Sequence, residues 1–232
     1  MSVLYVAVFL GATAMSLVLV PAVREFARSR EIHDVPGGHK SHTAPVPYLG
    51  GVAMVVAFSL AMVLGVLLQR NITISGQQIS LNIESLAFRS DTLLRELVVV
   101  IGLALVFSLM GLIDDLRGLS PRLRFVVGLV LATSLVAYGV RVASPLPDSI
   151  DFVISVVWIL GITNAFNLLD NIDGLAAGTA AVAAGAFFFI AVMNDQQNGA
   201  LFAIGFAGAM LGFLRSNFHP DRKSTRLNSS HT

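Results

Sequence analysis

The chain contains no cysteine among its 232 residues, and charged side chains make up only 12% of the sequence. Without cysteine there is no disulfide, no thiolate metal site and no cysteine nucleophile, although this absence does not identify the compartment. Soluble domains carry about 25% charged residues, so this composition excludes an ordinary soluble fold. The formal net charge of +1 gives no electrostatic basis for binding nucleic acid, and we expect none.

Apolar residues dominate instead, at 55% of the sequence with a mean hydropathy of +0.79. They form seven runs near the ~20 residues that a bilayer-spanning helix requires, at about 3–23, 48–68, 93–113, 123–140, 150–166, 175–193 and 200–214. We therefore predict an all-α fold, a polytopic integral membrane helical bundle with about seven transmembrane helices. The first run lacks the basic segment of a signal peptide, so we interpret it as a true span.

Lysine and arginine are distributed unequally between the linkers. The first, third, fifth and seventh linkers (24–47, 114–122, 167–174 and from 215 onward) form one set, and the second, fourth and sixth (69–92, 141–149 and 194–199) form the other. The first set carries more lysine and arginine than the second. Because cytoplasmic loops carry the excess of basic residues, we expect the N-terminus outside and the first set inside. Three polar clusters then share the cytoplasmic face.

The most informative cluster is the stretch 164–174, with five amide or acid side chains within ten residues after an apolar run. An ionisable group at the centre of a membrane helix costs about 2.5–3.5 kcal/mol, and such residues are functional candidates by default. If the segment stays helical, Asp170 and Asp173 are neighbours, and Asn164, Asn167 and Asn171 share one face. Gly174 then bends the chain.

The other two clusters are the pair Asp114 and Asp115 and the Pro/Gly-rich linker that contains Lys40 and His42. Taken alone, each is compatible with an interfacial turn or loop. Together, carboxylates, glycines and a lysine suit a magnesium–phosphate site, because Mg²⁺ prefers oxygen ligands and binds through few carboxylates plus substrate phosphates. The histidines near Lys40 lack the regular spacing of a zinc site.

These motifs, at 40–51, 111–115 and 164–175 in that order, resemble those of the polyprenyl-phosphate N-acetylhexosamine-1-phosphate transferases, or glycosyltransferase family 4. The resemblance covers about residues 1–220. The Pro-Val-Pro-Tyr-Leu-Gly-Gly form at 45–51 is more similar to the branch that uses UDP-N-acetylglucosamine than to the branch that uses UDP-muramoyl-pentapeptide.

The resemblance implies transfer of an N-acetylhexosamine-1-phosphate from a UDP-sugar to undecaprenyl phosphate with release of UMP. This would be the first membrane step of cell-wall or O-antigen lipopolysaccharide synthesis, at the cytoplasmic face of a bacterial inner membrane. The implied cofactor is Mg²⁺, with Mn²⁺ as an alternative, and the implied partners are the two substrates, membrane lipid and a second copy in a homodimer.

The resemblance also implies roles for individual residues. The catalytic residues would be Asp114, Asp115, Asp170 and Asp173. The metal ligands would be Asp115, Asp170 and Asp173. The substrate-binding residues would be Lys40, His42, Asn164, Asn167 and Gly174.

The resemblance stops after about residue 220, where the composition becomes polar. We expect a transferase domain at 1–220 that is incomplete at its C-terminus and a non-native tail at 221–232 that contacts no catalytic residue. We also expect the chain as given to be inactive, because the family continues with a further metal motif and more spans.

Three other functions compete. A CDP-alcohol phosphotransferase is also a polytopic Mg²⁺ enzyme, but the Arg of its Asp-Gly motif is missing after Asp173 and Gly174. An ion-coupled transporter should carry its acids near the bilayer midplane, whereas these lie at the ends of spans. A purely structural membrane subunit would leave the acids unexplained.

Overall fold

The computed structural model describes residues 3–30, 33–34, 46–47, 49–68, 73–74, 77–78, 90–170 and 172–217. Of these, it describes only the backbone at 33–34, 46–47, 66–68, 73–74, 77–78, 90–93 and 115. The predicted tail at 221–232 lies outside the described residues.

Seven α-helices make up most of this part of the chain and confirm the predicted all-α class. They are α1 Val3–Ser29, α2 Gly50–Leu68, α3 Ser90–Arg117, α4 Pro121–Tyr138, α5 Asp148–Leu169, α6 Leu175–Met193 and α7 Gln197–Asn217. Two antiparallel pairs of two-residue strands lie in the linkers. β1 (His33–Asp34) pairs with β2 (Val46–Pro47), with His33 opposite Pro47. β3 (Thr73–Ile74) pairs with β4 (Gln77–Gln78), with Thr73 opposite Gln78.

Six of the described helices are long and apolar enough to cross a membrane, and α2 adds a shorter apolar stretch, Gly50–Gly65. The protein is therefore a multi-pass membrane protein, as predicted. Helices α1 and α3 run beyond the apolar runs into polar sequence, because backbone hydrogen bonding continues into water where hydropathy no longer indicates a helix. The orientation in the membrane stays a prediction.

The described residues divide into two compact units: those within Met1–Leu112 and Ala177–Thr232, and those within Ile113–Ala176. In the first unit, α1 packs against α2 and α7. Gly205, Gly208 and Gly212 of α7 are buried, and small residues of this kind let membrane helices approach closely. At the far end of this seam, Arg24 Nη1 donates a 2.8 Å hydrogen bond to the carbonyl oxygen of Ser216.

The second unit contains an antiparallel hairpin of α4 and α5. Its core is formed by Ala132, Val136 and Val156. Helix α4 begins at Pro121 after the N-cap Ser120, whose Oγ accepts a hydrogen bond from the N–H of Leu123 at 3.3 Å. Pro suits the first helical position because its missing N–H would have had no helical partner.

The connection between α4 and α5 is held to the first turns of α5. Ser144 donates from its N–H to Asp151 Oδ2 at 2.9 Å and from its Oγ to Asp151 Oδ1 at 2.6 Å. The N–H of Val142 donates to Ser155 Oγ at 2.9 Å. Asp151 and Ser155 are both buried, so their polar groups are satisfied by the loop, as buried polar groups must be.

Candidate functional site

The turn between α5 and α6 carries the predicted Asp170 and Asp173. Helix α5 ends at Leu169, and the N–H of Asp170 closes its last turn on the carbonyl of Phe166 at 3.0 Å. The chain then turns, with the N–H of Leu175 donating to the carbonyl of Ile172 at 3.1 Å. Gly174 has φ +75°, a left-handed conformation that glycine adopts without steric cost. Both carboxyl-bearing residues are exposed in this one turn.

This geometry corrects one expectation about the stretch 164–174. The helix ends before Asp170, so Asp170 and Asp173 lie in the turn and are not i, i+3 neighbours on a helix. Asn164 and Asn167 lie within α5 as predicted, whereas Asn171 lies outside the described residues. The reason is local, since Gly174 permits a sharp turn that helical spacing does not anticipate.

Asn164 and Asn167 lie in the last two turns of α5, and both are exposed. Asn164 Nδ2 donates to the carbonyl of Leu160 at 2.8 Å. This bond to its own helix fixes the carboxamide and uses one of its donors. The remaining amide donor and the side-chain oxygen are the groups with which Asn164 can contact a ligand.

The last turn of α3 carries the acidic pair. Asp114 Oδ1 accepts the N–H of Leu119 at 3.1 Å and Arg124 Nη2 at 2.9 Å. The side chain of Asp114 is only 16% exposed. Asp115 is the next residue of α3, and its side chain lies outside the described part of the structure.

The packing of α4 on α5 determines where these two turns lie within the second unit. A Cβ atom on Gly128 would lie 3.3 Å from Leu160 Cδ2, so these residues are opposite one another. The core of the hairpin continues from this contact toward the connecting loop. In the other direction, one helical turn of about four residues brings Arg124 level with Asn164. The α3–α4 turn therefore lies at the same end of the hairpin as the turn that carries Asp170 and Asp173 after α5, which we call the Asn/Asp turn.

Other parts of the predicted site stay predictions. Lys40 and His42 lie outside the described residues. No group of three or more His, Cys, Asp or Glu in the described part of the chain could hold a metal ion. The predicted ligand set of Asp115, Asp170 and Asp173 includes a side chain that is not described, so the structure does not test it.

Sequence reasoning missed Arg124 as a partner of Asp114. A signal was present, since Arg124 lies inside the apolar run predicted at 123–140, where a cation at the end of a span needs a partner or water. Its partner lies ten residues away across a turn, which is not a local helical spacing.

Comparison with known proteins gives a consistent set of relatives. A family model described as glycosyl transferase family 4 matches residues 97–224. The phospho-N-acetylmuramoyl-pentapeptide-transferases of Bacillus licheniformis and Bacillus velezensis are 29% and 30% identical to the chain, in alignments that cover 91% of it. A probable undecaprenyl-phosphate N-acetylglucosaminyl 1-phosphate transferase of Bacillus subtilis is 27% identical over 224 residues, 93% of this chain. The chain spans 65% of the length of the first two relatives and 56% of the third.

Proposed function

The chain belongs to glycosyl transferase family 4, and on that premise we propose that the protein transfers N-acetylglucosamine-1-phosphate from a UDP-sugar to undecaprenyl phosphate. In this reaction an oxygen of the lipid phosphate forms a bond to the phosphorus that carries the sugar. The bond from that phosphorus to the UMP oxygen breaks, and UMP leaves. The product is a lipid diphosphate sugar at the cytoplasmic face of a bacterial plasma membrane.

One observation carries the proposal. The acidic pair and the Asn/Asp turn are separated by about 50 residues of sequence, yet both belong to one compact unit and lie at the same end of the α4–α5 hairpin. Ionisable residues that accompany membrane-spanning segments are functional candidates by default. Their grouping at one end of the hairpin suits a diphosphate substrate that meets a lipid phosphate at the membrane surface.

The residues of the Asn/Asp turn suit a magnesium ion. Asp170 and Asp173 present carboxylates in one exposed turn, and oxygen ligands with open positions for water and phosphate are what Mg²⁺ prefers. When bound, the ion would offset the negative charge of the diphosphate, since phosphoryl transfer depends mainly on positioning and electrostatic stabilisation.

The chain's own residues position the substrates. The carboxamides of Asn164 and Asn167 can each donate and accept hydrogen bonds, which suits the nucleotide sugar. Lys40 would neutralise phosphate charge as a point cation, with His42 beside it in sequence. Gly174 allows the turn to form through its positive φ.

The choice of sugar nucleotide rests on the Pro-Val-Pro-Tyr-Leu-Gly-Gly motif at 45–51. The names of the relatives above refer to two different substrates, muramoyl-pentapeptide and N-acetylglucosaminyl groups. The chain is about equally similar to both kinds of relative, at 29% and 27% identity, so identity does not decide between the two substrates. The experiment must therefore offer both sugar nucleotides.

Membranes that contain the product of the full reading frame at the source locus should be incubated with undecaprenyl phosphate and either radiolabelled UDP-N-acetylglucosamine or radiolabelled UDP-muramoyl-pentapeptide. We expect label from the first to enter the lipid fraction, with one UMP released per lipid product. EDTA should abolish transfer and Mg²⁺ should restore it.

The matched control is Asp148→Asn, which changes an exposed acid at the opposite end of α5 and should leave transfer unchanged. Label transferred only from UDP-muramoyl-pentapeptide would overturn the choice of sugar. No Mg²⁺-dependent lipid product from either nucleotide would overturn the proposed reaction.

A further inference from the structure

The loop between α4 and α5, residues 139–147, lies at the end of the hairpin opposite to the Asn/Asp turn. It is fixed to α4 by Gly139, which has φ +113° and donates its N–H to the carbonyl of Val136 at 3.0 Å. This is a left-handed helix ending of the kind that glycine favours. Val140 then donates its N–H to the carbonyl of Leu135 at 3.2 Å. The chain therefore leaves α4 in a defined direction.

The same loop is fixed to the first turns of α5 by two buried side chains. Ser144 donates to both carboxylate oxygens of Asp151, from its N–H at 2.9 Å and from its Oγ at 2.6 Å. Ser155 Oγ accepts the N–H of Val142 at 2.9 Å and donates to the carbonyl of Asp151 at 2.6 Å. Asp151 and Ser155 are both buried, so these bonds form away from water, where they are stronger.

The spacing of these bonds favours one register of α5 against the loop. Asp151 and Ser155 are one helical turn apart, about 6 Å along the axis. Two residues of extended chain reach at most about 7 Å, so Val142 and Ser144 match the two acceptors with little slack. A slip of α5 by one residue in either direction would replace both acceptors by apolar residues. These are Phe152 and Val156 in one direction and Ile150 and Ile154 in the other.

The register of α5 at the loop determines where the other end of this helix lies. Helix α5 is continuous from Asp148 to Leu169, and Asn164 lies about 20 Å from Asp151 along its axis. Asn164 and Asn167 are the exposed carboxamides of α5 that suit the nucleotide sugar. A slipped or rotated α5 would misplace both carboxamides while the helix itself stayed intact.

We propose that Asp151 is a positioning residue of the transferase. Through Ser144 it sets the register of α5 and so holds Asn164 and Asn167 where they bind the nucleotide sugar. The proposal deepens the proposed function and rests on it for the substrate. It gives a role in the reaction to a buried acid at the end of the hairpin opposite to the acidic pair and the Asn/Asp turn.

The discriminating pair of substitutions is Asp151→Ala and Asp151→Asn. Alanine removes both acceptors. Asparagine keeps both bonds, because its oxygen can accept the N–H of Ser144 while its amide donates to Ser144 Oγ, which is also an acceptor. Ser144→Ala removes only the bond from Oγ and tests the same direction where Asp151→Ala does not fold. Asp148→Ala is the matched control, because it changes an exposed acid in the first turn of the same helix.

The KM for the UDP-sugar, the KM for undecaprenyl phosphate and kcat should be measured with the full reading frame. We expect Asp151→Ala to raise the KM for the UDP-sugar about tenfold, because misplaced carboxamides lose hydrogen bonds of about this size. The KM for undecaprenyl phosphate should stay within about threefold. A structural role alone would reduce the amount of folded enzyme and leave both KM values unchanged. Asp151→Asn and Asp148→Ala should keep all three values within about threefold.

The register of α5 can also be measured without activity. The 232-residue chain has no cysteine, so spin labels on cysteines that replace the exposed Arg122 and Ile172 report the distance between the start of α4 and the Asn/Asp turn by electron paramagnetic resonance. We expect this distance to shift, or its distribution to broaden, by about 1.5 Å or more in Asp151→Ala, since each residue of slip moves a helix by this rise. It should stay unchanged in Asp151→Asn and Asp148→Ala.

An unchanged KM for the UDP-sugar in Asp151→Ala, or an Asp151→Asn variant as impaired as Asp151→Ala, would overturn the proposal. If the unsubstituted protein makes no lipid product, the proposed function fails, and the role of Asp151 in the reaction fails with it. An unchanged label distance in Asp151→Ala would overturn the positioning of α5 by itself, whatever the activity of the unsubstituted protein.

Discussion

The seam between α1 and α7 makes a sharp prediction about Gly208. A Cβ atom at this position would lie 2.5 Å from the carbonyl oxygen of Phe9 and 3.1 Å from Thr13 Oγ1. The first distance is about 0.8 Å shorter than the ~3.3 Å at which carbon and carbonyl oxygen meet in close helix contacts. Because that oxygen belongs to the α1 backbone, it cannot rotate away, and Gly208→Ala must push the two helices apart.

The expected cost follows from overpacking. Extra methyl groups in a well-packed core typically cost about 1–3 kcal/mol, and a shift of this size forfeits a quarter to a half of each dispersion contact along the seam. In water, alanine would recover about 1 kcal/mol through its helix propensity. In a bilayer the separated helices stay helical, so little is recovered, and a loss of about 2 kcal/mol, roughly 30-fold in the equilibrium constant, is expected.

Two glycines serve as controls. A Cβ at Gly199, also in α7, would meet its nearest neighbour at 3.7 Å, an ordinary contact, and a Cβ at Gly11 in α1 would meet nothing within 4 Å. Both alanine variants should stay within about 0.5 kcal/mol of the unsubstituted protein. Stability is measured as unfolding in mixed SDS–detergent micelles followed by pulse proteolysis. A Gly208→Ala variant as stable as Gly199→Ala would refute the reasoning.

Three further predictions concern the candidate site, the topology and the α4–α5 loop. In the full reading frame, Asp173→Asn should lower transferase turnover about 100-fold or more, because a missing electrostatic group costs this much in many enzymes; unchanged kcat would contradict its role. Single cysteines replacing Gly38 and Leu146 should be protected from and labelled by an impermeant external thiol reagent, respectively, and the reverse pattern would refute the orientation. Asp151→Ala should expose the loop before α5 to limited proteolysis, because Ser144 loses both acceptors, whereas Asp148→Ala, which removes an exposed ion pair, should not.

The number and positions of the helices were predictable from sequence because a backbone in lipid must satisfy its own hydrogen bonds, which leaves apolar runs of about 20 residues little alternative to a helix. The ends of helices were less predictable. Helix α1 continues to Ser29 and α3 to Arg117, because hydropathy marks the edge of the lipid and not the last helical hydrogen bond. The end of helix α5 at Leu169 depends on the turn that contains Gly174. The sequence shows that a glycine is present there, but not that its φ is positive.

The candidate site shows the same division. The residue types predicted phosphate chemistry, because carboxylates together with glycines and a lysine suit a magnesium–phosphate site, and this assignment stays a prediction. The pairing of Asp114 with Arg124 was not predictable, since it depends on how the α3–α4 turn folds back. The same holds for Asp151, whose acceptor role depends on a loop that returns to the start of α5.

The α4–α5 hairpin connects these observations, because the position of the site depends on the register of two helices. A shift of one residue would move Asn164 by about 1.5 Å along the axis and by about 100° around it relative to Arg124. The close contact of Gly128 with Leu160 opposes such a shift, since a displaced α5 would bring a different side chain against the glycine. The bonds from Ser144 to Asp151 oppose it from the other end of the same helix. The loop at the other end of the hairpin therefore contributes to the relative placement of the two acidic clusters, even though it carries none of the residues that would contact a substrate.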